Sequence, residues 1–283
     1  MIRLNLPDVN FAEVIGVCES GMKQTHLKDK LMAAEKELLA FGVSYECAGN
    51  DGNLFRLPSF PAVRGQDRLV ADPLTRDDLL RIYDGYFVPS HKPARRVYDR
   101  LMVAAKEKCP FCGGIGRPRN LDHYLPKTHF PQFSVLPLNL IPSCRDCNMD
   151  GKQSQYANNA NEQLIHPFLD NERFFKEQWI EATFEPALGK FGVVVYSAAP
   201  PHSWSTVDKE RVRKHFNDFD LGKRFSIKAA EALPSLLEQI SRLKDMHIEA
   251  NKIREVLLRP VVEKAASVND WRRVMYQAIS VSL

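Results

Sequence analysis

No stretch of this sequence approaches the ~18 consecutive apolar residues of a membrane-spanning helix, which points away from a membrane partner. Residues 1–20 also lack the unbroken apolar run of a secretory signal, because Asp8, Glu13 and Glu19 interrupt them. A cytoplasmic chain is therefore expected. There is no internal repeat, no low-complexity tail, and no helix-turn-helix or finger array that would read nucleic-acid sequence. Net charge is only +4, too small by itself to imply a polyanionic partner. Cysteine is scarce, with six residues in 283. In an intracellular chain that scarcity argues for thiols and metal rather than disulfides. Cys18 and Cys47 are isolated and are expected to be small buried hydrophobes.

The other four cysteines form two Cys-x-x-Cys pairs, Cys109/Cys112 and Cys144/Cys147, separated by 31 residues (113–143). Thiolates at this spacing reach one ion from a tight knuckle, and two knuckles complete a tetrahedral site with no open position. The pairs therefore read as a structural zinc site that ties together the ends of an inserted element. Between and just beyond them lie Asp122, His123, Asn139 and Asn148. Leu121–Leu125 reads as a short strand, and Ser134–Leu136 as the strand that follows. Asn148 opens a short helix running past Lys152. A hairpin followed by a helix fits these spacings.

Charge is unevenly spread. From His91 to Lys127 nine cations face three carboxylates, a local excess of +6 at the entrance to the cysteine segment. Arg96 and Arg100 are four apart on a helix expected over 93–106, so they share a face. They either track phosphates or form a solvated helix face.

Elsewhere the chain reads as mainly helical. Apolar residues recur at helical spacing through Phe11–Cys18 and Leu27–Phe41, with Gly42 as a stop. A short helix spans Asp77–Phe87, and Ser205 caps another from Thr206. A long helix over Phe225–Ala250 contains Pro234, and Pro260 separates the last helices. One β-hairpin is expected near 179–197, with Leu188-Gly189-Lys190 as its turn. The fold class is mainly α with a small ββα-metal core and a short β-hairpin, α+β overall. Three segments follow: a helical region over 1–90, a central domain over 91–170, and a hairpin with helices over 171–283.

The central segment resembles the HNH nucleases, the ββα-metal fold, in their zinc-stapled form. The motifs that carry the resemblance are Cys-Pro-Phe-Cys, Leu-Asp-His-Tyr-Leu-Pro-Lys, Leu-Asn-Leu-Ile-Pro-Ser-Cys and Cys-Asn-x-x-x-Lys, about 44 of the 283 residues. The wording Phe-Pro-Gln-Phe-Ser-Val, with His166-Pro-Phe, extends it to the HNH subunit of Septu-like anti-phage systems, which works beside an SMC/ABC-like ATPase. The resemblance implies His123 as general base and Asp122 as a ligand of a catalytic Mg²⁺ or Mn²⁺. It implies Asn139 as the residue that fixes the hairpin loop. Asn148 takes the last motif position, where the family often has His, and gives an H-N-N variant whose amide oxygen can still bind a hard cation. Lys152, Arg96, Arg100 and Lys127 are the expected phosphate contacts. DNA is the expected substrate, with RNA, including tRNA, as an alternative. A non-catalytic zinc-knuckle module binding nucleic acid or protein is the reading from a different class. His129 and Tyr124 are expected to be surface and packing residues. His166, His202 and His215 enter only if the C-terminal region folds back over the site.

Overall fold

The structure, a computed structural model, describes residues 1–23, 26–152 and 155–283, with the backbone alone at Asp150 and Lys152. The first helix, α1 (Phe11–Ser20), starts at a reciprocal cap. The Asn10 side chain accepts from the Glu13 amide and Glu13 accepts from the Asn10 amide, both at 2.9 Å. This satisfies two amide donors that a helix start otherwise leaves open. Phe11, Val14, Ile15 and Cys18 form its buried stripe, as their spacing requires. Helix α2 (His26–Asn50) does not stop at Gly42. Gly42 and Gly49 are contact points instead. A Cβ at Gly42 would lie 2.8 Å from the Phe11 ring, and one at Gly49 2.2 Å from the Leu169 side chain. The missing side chains let α1 and the 165–170 segment close onto the helix, which outweighs the helix penalty of about 1 kcal/mol per glycine.

A small hairpin of β1 (Leu69–Ala71) and β2 (Leu74–Thr75), not expected from the sequence, leads into α3 (Arg76–Ile82). That helix continues as a wider π turn over Tyr83–Phe87. Helix α4 (Arg95–Val103) buries Val97, Tyr98 and Leu101 and packs on the next hairpin, β3 (Asn120–His123) and β4 (Leu140–Ser143). Their antiparallel register pairs Asn120 with Ser143, Asp122 with Ile141 and His123 with Leu140. A π-helix, Asp146–Lys152, follows at once. The second strand is thus Leu140–Ser143, not Ser134–Leu136. Pro131 and Pro137 begin short 3₁₀ turns there, since proline has no N–H for a ladder.

After the one-turn α5 (Arg173–Lys176), strands β5 (Ile180–Glu185) and β6 (Val193–Ala198) pair antiparallel as expected. One face of this hairpin lies on helices α7 (Leu221–Asp245) and α10 (Trp271–Ser282). Helix α6 (Thr206–Asp218) begins at Ser205, whose hydroxyl accepts from the Asp208 amide at 3.1 Å. Pro234 lies inside α7. Pro260 does not separate the last helices. The helical run α8 (Ala250–Ile253), a π turn and α9 (Arg259–Glu263) passes straight through it, with Pro260 in the first turn of α9, where its absent N–H is tolerated.

The architecture is mixed α+β, with the sheets confined to two-stranded pairs among the described residues. One cluster of buried apolar side chains takes in residues from all three segments of the chain, from Met1 through Phe133 to Ile279. Among the described residues no helix is long and apolar enough to cross a membrane. Cys18 is fully buried, and burial pushes its thiol up to about 12, but Cys47 is exposed, against expectation.

Arg211 of α6 ties these layers together. Its guanidinium donates to both oxygens of Asp170, at 2.8 and 2.5 Å, and to the carbonyls of Gln163 and Leu164. Both partners are almost fully buried. Removing one half of such a pair strands a buried charge, which costs about 3–5 kcal/mol. Arg211→Ala should therefore lower unfolding free energy in a urea titration by that amount, whereas the exposed Arg242→Ala should change it by less than about 1 kcal/mol.

Candidate metal centre and adjoining hairpin site

The four cysteines converge. Their sulfur atoms lie within 4.8 Å of one another, and all four residues are buried. Bonds of ~2.3 Å to a tetrahedral zinc place sulfurs ~3.8 Å apart, and Cys112 Sγ and Cys144 Sγ are 3.9 Å apart. The donor set and spacing fit a zinc-like ion held by Cys109, Cys112, Cys144 and Cys147. Among the described residues this is the one place where three or more His, Cys, Asp or Glu ligand atoms gather.

Local backbone explains each knuckle. After Cys112 the chain turns through Gly113 and Gly114, both at positive φ (66° and 89°), which costs glycine nothing. The Gly114 amide then donates to the Cys109 carbonyl at 2.9 Å, and the Gly116 amide to Cys112 Sγ at 3.3 Å. A Cβ on Gly116 would sit 2.5 Å from Cys144 Sγ, so the fourth sulfur arrives only because that side chain is missing. The second knuckle leaves the end of β4 and enters the π-helix, with the Asn148 amide donating to the Cys144 carbonyl at 3.0 Å.

Two residues from the C-terminal helices support the knuckles: Arg224, which nothing local in the sequence marks, and His215, expected to matter only if this region folds back. Arg224 of α7 donates to Cys147 Sγ at 3.3 Å and to Cys144 Sγ at 3.7 Å, and pairs with Asp146. Its fixed positive charge offsets part of the negative charge of a four-thiolate site. His215 of α6 donates from Nε2 to the Phe111 carbonyl at 2.8 Å, and its Nδ1 accepts from the Ile165 amide at 3.4 Å. Burial pushes its pKa down to about 3, so it stays neutral. The C-terminal region does fold back, but onto the knuckle rather than onto His123. His202 is exposed, and its backbone carbonyl accepts from Lys209 at 2.8 Å.

The thiols do not share one ionisation behaviour. Burial pushes Cys109 up, whereas the hydrogen bond from Cys109 brings Cys112 down to about 7. Hydrogen bonds from Cys109, Cys112 and Cys147 drive Cys144 far below the ordinary thiol range. Binding a cation must therefore expel the protons that remain.

In the hairpin, His123 and Asp122 are both buried, at 8% and 7% exposure. His123 Nε2 is 2.8 Å from the Ser134 carbonyl. A carbonyl only accepts, so Nε2 carries a proton in this contact. The Tyr83 ring packs edge-on against His123, at 4.5 Å between centroids. The Lys127 ammonium lies 4.5 Å from the centroid of the same Tyr83 ring and 2.6 Å from Asp84. Lys127 is thus next to His123 through Tyr83, with its charge partly matched. Arg100 is exposed and pairs with Asp8 at 2.6 Å. Arg96 is exposed and makes no ion pair among the described residues. Both lie on α4, which packs on the hairpin. Asn148 is half-buried on the π-helix. The side chain of Lys152 lies outside the described residues.

Asn139 is fully buried and organises the loop. Its Oδ1 accepts from the Leu125 amide at 2.7 Å, and its Nδ2 donates to the carbonyls of Leu125 and Phe133 at 3.0 and 3.1 Å. Its own carbonyl accepts from the Tyr124 amide at 2.8 Å. A second donor to Oδ1 is the Tyr45 hydroxyl at 2.9 Å, reaching across from α2. Behind Tyr45 stands His166. Its Nδ1 accepts from the amides of Phe168 and Leu169, so Nε2 carries a proton and donates to Tyr45 Oη at 3.1 Å. Tyr45 lies past the stop expected at Gly42, and no local motif marks it. Tyr124 packs as expected, its hydroxyl donating to the Leu164 carbonyl. His129 is half-buried, with Nδ1 3.1 Å from the Thr128 hydroxyl and its ring against Tyr156.

No family model matches the chain, and no solved structure does. Among curated proteins, Protein ea31 of Escherichia phage lambda is 33% identical over 298 residues, taking in 100% of this chain and 98% of that protein. At that identity and coverage, the chain belongs to the family of ea31.

The geometry makes two expected outcomes concrete. Zinc titration against a chromophoric chelator should load one ion per chain with release of protons, and apparent affinity should fall steadily as pH is lowered, since protons on the buried thiols, Cys109 among them, compete with the metal. Cys112→Ser should abolish tight loading. Tyr45→Phe should cost about 1–3 kcal/mol in urea unfolding, because it removes the buried hydroxyl that joins Asn139 to His166.

Proposed function

We propose that the chain is a metal-dependent endonuclease of the HNH type that hydrolyses phosphodiester bonds in DNA. The observation that carries this reading is the arrangement of one hairpin. A buried imidazole closes β3, a buried amide locks the loop that follows, and a second amide stands on the helix entered directly from β4. A zinc scaffold alone has no use for His123 beside Asp122 within such a loop.

In this reading the hairpin, the loop and the Asp146–Lys152 helix are the ββα-metal core, stapled by structural zinc at the four cysteines. His123 acts through Nδ1, taking a proton from the attacking water, while the Ser134 carbonyl holds the ring by its Nε2 proton. Asp122 and Asn148 offer one carboxylate and one amide oxygen. That hard, sparse set suits Mg²⁺ or Mn²⁺, which keep several waters and take the remaining ligands from substrate phosphate. When bound, such an ion stabilises the charge on the phosphate and on the leaving 3′ oxygen. Asn139 positions the loop, and Lys127, Lys152, Arg96 and Arg100 contact flanking phosphates. Partnership with an SMC/ABC-like ATPase in an anti-phage system is part of the same proposal and rests on the sequence resemblance.

Plasmid nicking with Mg²⁺ or Mn²⁺ tests it. His123→Ala should slow cutting by about 10²–10⁴-fold while zinc loading and folding stay unchanged. Equal rates for variant and wild type would remove His123 as the base. If the wild type cuts neither DNA nor RNA, alone or with the ATPase, the zinc-knuckle binding module becomes the better reading.

A further inference from the structure

On the outer side of the metal knuckle the surface opens into a groove of about 1040 Å³, between the turn after α4, the Gly113–Gly114 bend, α5 and the start of α10. That exceeds the upper end of ordinary small-molecule pockets, ~300–1,000 Å³. Lys106, Lys108, Lys264 and Arg272 line it. All four are exposed, and none makes an ion pair among the described residues. The carboxylates at the groove are already engaged. Glu172 pairs with Lys176, and Asp270 caps α10 by accepting from the Arg272 and Arg273 amides at 2.9 and 3.0 Å. The four cations thus face solvent without a close carboxylate partner, and with Asp270 the only lining carboxylate not already in an ion pair among the described residues the groove keeps a positive excess. Two aromatic rings, Phe175 and Trp271, stand half-buried in the same wall, each with a guanidinium over it, Arg3 at 5.2 Å from the Phe175 centroid and Arg272 at 5.1 Å from that of Trp271.

We propose that this groove binds single-stranded nucleic acid, its cations following the phosphates and Trp271 and Phe175 stacking on bases. A line of unpaired cations attracts any polyanion. Flat rings among them select one whose bases are unpaired and able to stack. An acidic peptide would satisfy the charges but bring no flat face to stack with the rings and their guanidiniums, and a duplex keeps its base faces inside. The site is separate from His123 and does not require the nuclease reading. If that reading holds, the groove makes a displaced or single strand part of the substrate.

Fluorescence anisotropy on the full, zinc-loaded chain without other divalent ions tests the groove, with labelled oligo-dT and oligo-rU of equal length across a salt series. Wild type and His123→Ala should bind alike, which separates this site from the catalytic proposal. Each phosphate contact contributes about 0.7 to the slope of log affinity against log salt. Lys106→Gln, Lys108→Gln, Lys264→Gln and Arg272→Gln together should lower that slope by about 2–3. Trp271→Ala should weaken binding roughly tenfold with the slope unchanged, and Trp271→Phe should restore it. Lys223→Gln with Lys244→Gln, on the exposed side of α7, should change nothing. Binding of either oligonucleotide with this pattern supports the proposal, and the stronger of the two names the nucleic acid. No binding by wild type, a wild-type slope in the quadruple variant, tighter binding of a duplex of the same length, or equal displacement by polyglutamate would each overturn it.

Discussion

Four sulfur atoms held within 4.8 Å of one another set the terms for the centre of this protein. Thiols so close and so deeply buried cannot all ionise without a cation among them, and a cation there fixes four points of backbone at once. Those points are the start of the segment leading to β3 and the junction between β4 and the π-helix. The hairpin strands are four residues each, and two-stranded pairs of that length are marginal in water on their own. Their geometry is supplied from outside, by the staple at their base and by α4 along their length.

At the other end of the hairpin the work falls to Asn139. A loop of 16 residues separates His123 from Leu140 and contains no strand. Its carbonyls and amides converge on one side chain, which satisfies them without water. The same loop turns the Ser134 carbonyl toward His123, where it accepts from Nε2 and fixes the orientation of the ring. Staple and amide act on opposite ends of a short ladder, and the imidazole sits where the two constraints meet.

The parts of this arrangement that depend on near neighbours could be read from the sequence. Cys-x-x-Cys spacing announces its chemistry, and helical periodicity placed α1 and the start of α2. The β5–β6 hairpin followed from valine-rich alternation around a glycine turn. What escaped depends on distant partners. Gly42 looks like a stop until Phe11 is seen against it. Ser134–Leu136 has strand-like residues, but the prolines on either side and the demands of Asn139 make it a turn. Cys47 faces solvent because α2 continues past Gly42 and turns that face outward. Arg224 lies 77 residues from the sulfur it contacts, and Tyr45 94 residues from Asn139. No local pattern carries such pairs.

Tyr45 has a consequence for where this molecule can be divided. Residues 91–170 look like a self-sufficient unit when only the motifs are counted. Yet the amide that locks their central loop takes one of its bonds from a helix outside them, and their metal knuckle leans on His215 and Arg224 from beyond the other boundary. A fragment trimmed to the motifs would keep every residue of the candidate chemistry and lose the walls against which those residues are set. The helices on either side thus supply side chains that bear directly on the loop and the knuckle of the candidate site.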